Sequence, residues 1–233
     1  DQTNQLQYCW TTSWGLSTRV IGAIIMTHGD DQGLVLPPRL APIQVVIVPI
    51  YRSDEERSRV MPVVERIRSE LGSVRVKVDD RTGVTPGFKF NDWELRGVPL
   101  RIEIGPKDVE KGSVALARRD VPGREGKAFV PQEGLVARVA DLLVEIQAGL
   151  LAKATAFRDA HIFDVDSYEA LTEAVQNGWA RAWWCGNDAC EARVKEDTRA
   201  TTRNIPMDQP GGSGRCVVCG EPASEQALFA KAY

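Results

Sequence analysis

Four of the five cysteines stand in two closely spaced pairs. Four residues separate Cys185 from Cys190, and two residues separate Cys216 from Cys219. Thiolates in two such pairs are the usual ligand set of a closed tetrahedral zinc site, in which no position stays open for water. Gly220, directly after the second pair, allows the chain to turn back and to direct backbone N–H groups at the sulfur atoms. The spacing therefore predicts a structural Zn2+ site and places the function elsewhere.

Cys9, the fifth cysteine, lies in a Tyr-Cys-Trp run that is typical of a strand. We expect a buried and unreactive thiol at this position. An odd cysteine count, with four residues in metal-ligand spacing, favours a reducing compartment over a disulfide framework. No stretch of the sequence is long and apolar enough to span a bilayer. These features predict a cytoplasmic location and no membrane partner.

Length and charge limit the remaining function classes. A chain of 233 residues predicts one large domain or two to three small ones. The net charge of -3 excludes a nucleic-acid binder that is basic over its whole surface, but it allows a local RNA-binding patch. Because the sequence begins at Asp1 within a polar segment, we expect it to be the C-terminal part of something longer.

A second group of residues that could do chemistry lies between Thr12 and Arg19. Small residues follow a predicted strand here, and Arg19 stands in the first turn of the next predicted helix. That arrangement directs a guanidinium and free backbone N–H groups toward one point, which suits a phosphate group. Trp14 and Gly15 would form a flat wall beside a gap for a small ligand. From these residues alone, a surface ion pair of Arg19 is the more common alternative.

The elements around this group follow from the apolar pattern. Residues 5–16 predict a strand, a loop and a second strand, and a helix then runs to about His28. His28 suits either the dipole at the end of that helix or a bond to Asp30 near an active site. Because negative charge is disfavoured at a helix C-terminus, Asp30 and Asp31 should have a cationic partner. Three prolines between residues 37 and 42 predict a domain boundary.

Strands and helices alternate after that boundary. A continuous apolar run at 44–50 is typical of a strand covered on both faces, and the alternation predicts a parallel or mixed α/β sheet. A helix at 167–177, capped by Asp166, and a tryptophan-rich strand at 179–185 lead to the cysteines. The other predicted elements are helices at 53–71, 92–96 and 132–159, strands at 74–79, 100–104 and 113–118, and a Gly/Pro loop at 83–91.

Several segments together resemble one known family. They are residues 13–23, 28–38, 41–47, 85–90 and 98–108, the four paired cysteines and the tail 229–233. The set resembles prolyl-tRNA synthetases, which are class II aminoacyl-tRNA synthetases, and it covers essentially the whole chain. The resemblance is to the subgroup that has a C-terminal zinc domain and lacks an inserted editing domain.

The resemblance implies a multidomain protein of the α/β and α+β classes. Residues 1–42 would be the end of the catalytic antiparallel sheet, with the third class II motif. Residues 43–150 would form the α/β anticodon-binding domain with a mixed sheet, and residues 151–233 the C-terminal α+β zinc-binding domain. The earlier class II motifs, with the dimer interface and the Mg2+ carboxylates, are absent from the sequence. We therefore expect the chain alone to be inactive.

The resemblance also implies roles for the residues singled out above. Arg19 would be catalytic and would bind ATP phosphate together with Ser17, and Trp14 and Gly15 would form the wall of the proline pocket. Five further residues fall where the family reads the guanines of the proline anticodon: Phe90, Glu94, Arg101, Lys107 and Asp108. An aromatic ring can stack on a base, carboxylates can accept from guanine N–H groups, and cations can donate to base oxygen or phosphate. Tyr233 would end an anchored tail rather than a frayed one.

The expected function is that of the C-terminal half of a proline–tRNA ligase. The whole enzyme would be a homodimer that activates proline with ATP and Mg2+ and transfers it to tRNA(Pro). The alternative is a non-catalytic RNA-binding module with a structural zinc site. Another synthetase of the same subclass should lack the four-cysteine tail and the Trp14 pocket.

Overall fold

The computed structural model describes residues 2–9, 11–121 and 123–232. The chain divides into two compact units, Asp1–Leu151 and Ala152–Tyr233. The limits 1–42, 43–150 and 151–233 given above stay predictions. In the part of the chain that is described, no helix combines the length and apolar character needed to cross a membrane.

The first unit contains a five-stranded mixed sheet with the order β2-β1-β3-β4-β5. β1, β2 and β3 are parallel, whereas β4 and β5 are antiparallel to their neighbours. The strands are β1 Val45–Pro49, β2 Val76–Val78, β3 Leu100–Ile104, β4 Ser113–Arg118 and β5 Lys127–Pro131. The helices that begin in this unit are α1 Arg19–His28, α2 Asp54–Glu70, α3 Pro86–Leu95, α4 Pro106–Lys111 and α5 Leu135–Ala160, the last of which continues past Leu151. The predicted mixed sheet is confirmed.

Two hydrophobic clusters lie on opposite faces of this sheet. Side chains of α2 and α5 pack on one face against alternate residues of β1, β3 and β4, including Ile47, Ile102 and Leu116. Trp93 and Phe90 of α3 pack on the other face. Because α3 covers β1 there, the polar residues that β3 presents to this second face lie beside the helix.

The predicted loop at 83–91 is wrong in its second half, because α3 begins at Pro86. Thr85 caps the helix by accepting a hydrogen bond from the backbone N–H of Phe88. Proline at the first helical position needs no hydrogen-bond partner for its nitrogen and has a helical φ. The Thr85 cap and Pro86 together outweigh the low helix propensity of Gly87.

The predicted end of a catalytic antiparallel sheet is also wrong for the structure described. Residues 2–9 and 11–18 contain no strand, and Cys9 is exposed instead of buried. Leu6 and Trp14 are fully or nearly fully exposed. A strand needs a neighbour to satisfy its backbone N–H and C=O groups, and among the residues described no strand pairs with this segment. α1 forms, but none of its residues is buried.

The segment after α1 packs on the first unit through its backbone. Leu34 and Leu36 donate backbone hydrogen bonds to the carbonyls of Leu95 and Gly97, at 3.0 and 3.2 Å. The buried Arg119 binds both carboxylate oxygens of Asp30, which confirms the predicted cationic partner for Asp30; for Asp31 it stays a prediction. The segment therefore reaches the ends of α3 and β4.

The second unit contains a four-stranded sheet with the order β6-β7-β11-β8 and a two-stranded ribbon of β9 and β10. Its strands are β6 Ile162–Asp164, β7 Trp179–Trp184, β8 Ala200–Asn204, β9 Gly214–Arg215, β10 Pro222–Ala223 and β11 Glu225–Lys231. The helices are α6 Tyr168–Asn177 and α7 Asp188–Thr198. Phe229 and Leu171 are fully buried between them. Ser167, not Asp166, caps α6.

Candidate nucleic-acid interface and metal centre

The four paired cysteines come together in the second unit. Their Sγ atoms all lie within 4.8 Å of one another, at 3.6 Å between Cys185 and Cys190 and 3.8 Å between Cys185 and Cys219. A zinc ion with Zn–S bonds of about 2.3 Å sets the edges of its sulfur tetrahedron at about 3.8 Å. Disulfide sulfurs would be about 2.05 Å apart. The donor set therefore fits one tetrahedral metal ion such as Zn2+.

Each cysteine pair is positioned by local hydrogen bonds. Asn187 caps α7 by accepting from the backbone N–H of Ala189 at 2.8 Å, and Cys190 lies in the first turn of this helix. Gly220 has a φ of 75° and donates its backbone N–H to the Cys216 carbonyl at 2.8 Å. This is the tight turn predicted after the second pair.

The thiols differ in how readily they ionise. Burial would raise the pKa of Cys216, but backbone N–H groups of Cys219 and Val218 donate to its sulfur and lower the pKa to about 7. Burial raises the pKa of Cys190 and of Cys185. Since metals bind the thiolate, the backbone N–H groups at Cys216 favour the form of this residue that a metal ion binds.

Three of the five predicted anticodon residues meet on the sheet face beside α3. The Arg101 guanidinium lies 4.1 Å from the centre of the Phe90 ring. It donates to Glu94 at 2.7 Å and, through Nε, to Glu103 at 3.1 Å. The Arg101 side chain is only 11% exposed, whereas that of Glu94 is 34% exposed. The guanidinium is thus fixed at the edge of an accessible surface.

Two members of this network were missed by the sequence reasoning. Glu103 is buried, yet it binds Arg101 on one oxygen and Lys127 of β5 on the other, at 2.6 Å. The spacing of two between Arg101 and Glu103 on one strand could have indicated a shared face. Lys127 could not have been found that way, because its position depends on the register of β3, β4 and β5.

The other two predicted anticodon residues lie on α4, just beyond the end of β3. Asp108 accepts the backbone N–H of Gly105 at 2.9 Å and so closes the start of the helix. Lys107 is exposed. No hydrogen bond or ion pair joins either residue to Arg101 among the residues described. Their role in anticodon binding stays a prediction.

The predicted ATP and proline residues are open to solvent. Trp14 is 94% exposed, and a Cβ placed on Gly15 would meet no atom within 4 Å. The Ser17 hydroxyl accepts the backbone N–H of Arg19 at 3.4 Å, and both residues are exposed. The structure thus brings together only Ser17 and Arg19 of this group.

A buried polar cluster around Asp79 anchors α3 through Lys89 and Trp93. Asp79 accepts hydrogen bonds from the Trp93 indole at 2.7 Å and from two guanidinium nitrogens of Arg81 at 2.9 and 2.7 Å. Burial would raise the pKa of Asp79, but these donors lower it to about 2. Lys89 donates to the Asp79 carbonyl at 3.0 Å, and burial lowers the pKa of this lysine. The cluster holds the helix that carries Phe90 and Glu94.

Two sequence families match the chain, one in each unit. Residues 44–139 match the family described as "Anticodon binding domain", and residues 168–233 match "Prolyl-tRNA synthetase, C-terminal". The first unit therefore contains an anticodon-binding domain with a mixed sheet.

Curated relatives match the chain over its whole length. A proline–tRNA ligase of Roseiflexus castenholzii is 62% identical over 234 residues, which are 100% of this chain and 49% of the relative. The chloroplastic/mitochondrial proline–tRNA ligase of Arabidopsis thaliana is 52% identical over 100% of this chain and 44% of the relative. The proline–tRNA ligase of Cenarchaeum symbiosum is 48% identical over 100% of this chain and 48% of the relative. The chain is similar to prolyl-tRNA synthetases along its whole length, and it spans about half the length of these relatives.

Proposed function

We propose that the chain is the tRNA-recognising half of a proline–tRNA ligase and that the face around Arg101 reads the anticodon of tRNA(Pro). The observation that carries this proposal is the contact of Phe90, Glu94 and Arg101 on an accessible sheet face. The match of residues 44–139 to an anticodon-binding family supports it. The names of the relatives do not favour the alternative of a non-catalytic RNA-binding module.

The geometry suits an unpaired guanine. Two nitrogens of Arg101 are bound to carboxylates, so the guanidinium plane is fixed, and the remaining Nη has no acceptor among the residues described. That N–H group can donate to O6 or N7 of a guanine, while Glu94 accepts from its N–H edge. Bases of a single-stranded loop present these edges because they are unstacked and unpaired. Lys107 would donate to O6 or N7 of the neighbouring guanine or to its phosphate, and Asp108 would accept from guanine N–H groups.

The whole protein would join proline to tRNA in two steps. The proline carboxylate attacks the α-phosphorus of ATP and pyrophosphate leaves; a hydroxyl of the tRNA terminus then attacks the carbonyl of the prolyl adenylate, and AMP leaves. Arg19 and Ser17 would hold the departing phosphates, and Trp14 with Gly15 would form the proline pocket. Mg2+ bound with ATP would neutralise phosphate charge. These assignments rest on the family resemblance, as does a homodimeric whole enzyme.

Zn2+ at the four cysteines would be structural, because the four sulfurs complete a tetrahedron and leave no position for water. Its binding would stabilise the second unit, since a site of this kind couples metal binding to folding. Four free thiols at the site also support a reducing compartment, such as the cytoplasm.

The test is the substitution Arg101→Ala in the whole enzyme. It should raise KM for tRNA(Pro) and leave proline-dependent ATP–pyrophosphate exchange nearly unchanged, because a base-specific contact contributes about 1–3 kcal/mol to tRNA binding only. Arg138→Ala is the matched control, since Arg138 is an exposed, ion-paired arginine on α5. An equal loss of exchange and charging in Arg101→Ala contradicts the anticodon assignment.

A further inference from the structure

A second aromatic ring lies on the face that carries Arg101. Phe129 of β5 is 71% exposed. The sheet register pairs Glu103 with Ala115 and Ala115 with Phe129. Because residues directly opposite each other in a sheet point to the same face, Phe129 shares the face of Arg101 and Glu103.

The path from Phe129 to Glu103 is short and crosses no bulky side chain on β4. Phe129 and Glu103 are two strands apart, which is roughly 10 Å. Ala115 stands between them and does not cover the Phe129 ring. The ion pair of Glu103 with Lys127 bridges the same distance, and the Lys127 ammonium lies 5.7 Å from the centre of the Phe129 ring. The Phe129 ring is therefore linked through Lys127 and Glu103 to Arg101 on the same sheet face.

The exposure of Phe129 has no explanation in the packing of the first unit. In the part of the chain that is described, the Phe129 ring has one cation–π contact, with Lys127, and no aromatic side chain stacks on it. An exposed aromatic residue on an edge strand promotes unwanted strand pairing. Such a ring is useful, however, when it receives a flat ligand. Single-stranded nucleic acid supplies one, since every base has a face that stacks on an aromatic ring.

We propose that Phe129 is a stacking platform for one nucleobase of the tRNA anticodon loop, next to the bases read at Arg101. This inference rests on the proposed anticodon-binding function. The occupant is a base because the exposed Phe129 ring lies on the same sheet face as the proposed anticodon contacts of Arg101, and because the Lys127 ammonium, 5.7 Å from the ring centre, is a cation that suits a phosphate-linked ligand. Stacking provides affinity without base preference. Phe129 therefore strengthens binding of the loop, whereas Arg101 and Glu94 select which base is bound.

The experiment measures binding of an RNA hairpin, with the stem and loop of the proline anticodon, to the 233-residue chain and its variants. The Phe129→Ala variant should bind the hairpin about 5- to 150-fold more weakly than the unaltered chain, because it loses one base–aromatic stack. Phe129→Trp should retain binding, and Phe129→Leu should resemble alanine, because the contact needs a flat ring. Phe157→Ala is the matched control: Phe157 is 67% exposed and lies on α5. Circular dichroism checks that each variant is folded.

A fluorescent adenine analogue, placed in turn at each loop position, identifies the stacked base. One position should be quenched by the unaltered chain and not by Phe129→Ala. If Arg101→Ala weakens binding while Phe129→Ala does not, the stacking platform is wrong and the anticodon function stands. If the unaltered chain binds this hairpin no more tightly than it binds a hairpin with a scrambled loop, both the stacking platform and the anticodon function are overturned. Equal loss in Phe157→Ala and Phe129→Ala would also reject the platform.

Discussion

At the scale of single residues, Asp79 links the stability of the first unit to pH. Its pKa lies at about 2 in the folded chain, against 3.8 for an ordinary aspartate. The unfolded chain therefore binds a proton at a higher pH than the folded chain does. The resulting stabilisation is complete above about pH 4 and is lost as the pH falls from there to about 2.

We expect this loss to be about 2 kcal/mol in the free energy of unfolding, since one pKa unit corresponds to about 1.4 kcal/mol. Urea unfolding at several pH values measures it. Asp79→Asn should be less stable at neutral pH and should lack this part of the pH dependence. Asp208→Asn, at an exposed position, should keep the whole dependence. Parallel pH curves for Asp79→Asn and the unaltered chain would show that the carboxylate is not held as described.

Local signals decided which site residues the sequence could reveal. The cysteine spacing predicted a cluster that forms, since both pairs are fixed by short turns. Arg101, Glu94 and Phe90 were found by resemblance, and their mutual contact emerged only from the packing of α3 against β3. Lys127 and Phe129 escaped because strand register is a long-range property that no local pattern encodes, whereas the spacing of two from Arg101 could have indicated Glu103.

At the scale of elements, the backbone of residues 33–36 lies against the end of α3, and Gly97 permits this approach. A Cβ on Gly97 would lie 2.6–2.7 Å from atoms of Leu34, and its φ is +71°. Gly97→Ala should therefore lose about 1–3 kcal/mol of stability through backbone strain. The clash of the new Cβ with Leu34 should add to this loss. The segment that includes Asp30 should become sensitive to protease.

The variant Gly112→Ala separates the cost of a positive φ from the cost of the close approach of Leu34. Gly112 ends α4 with a φ of +60°, but a Cβ there would meet nothing within 4 Å. It should show the cost of positive φ alone, without new protease sensitivity near Leu34. Equal losses of stability in urea unfolding of the two variants would mean that the close approach at Gly97 contributes nothing.

The elements predicted well are those whose signals are local. β3 Leu100–Ile104 and β4 Ser113–Arg118 form at the predicted residues, and β7 ends one residue early at Trp184. β5 was missed because its alternation is weak, and α7 because its first turn contains the metal ligand Cys190 and was interpreted only as part of the metal site. The strands predicted at 5–16 failed for a different reason: a strand pattern needs a partner strand, and none is paired with it in the described structure.

At the scale of the whole molecule, metal should stabilise the second unit selectively. We expect about one zinc per chain by elemental analysis. A chelator, or Cys219→Ser, should unfold the second unit before the first, because the four thiols join β7, α7 and the β9–β10 ribbon. Hydrogen exchange followed along the sequence measures each unit. Cys9→Ser, at an exposed cysteine outside the cluster, is the control and should change neither.

Simultaneous loss of protection in both units after chelation would contradict this separation. Absence of zinc from the purified chain, or a disulfide between Cys185 and Cys190, would reject the metal centre itself.

The three-sided hold on Arg101 has a thermodynamic consequence. An arginine that is free in solution loses rotamer entropy when it binds a base, a cost of up to about 2 kcal/mol. Arg101 is already fixed by Glu94, Glu103 and the Phe90 ring before any RNA arrives, so that cost is incurred during folding. A base that offers no acceptor to the waiting N–H group leaves it desolvated and unpaired. Preorganisation thus sharpens the rejection of wrong anticodons without requiring tight binding of the right one.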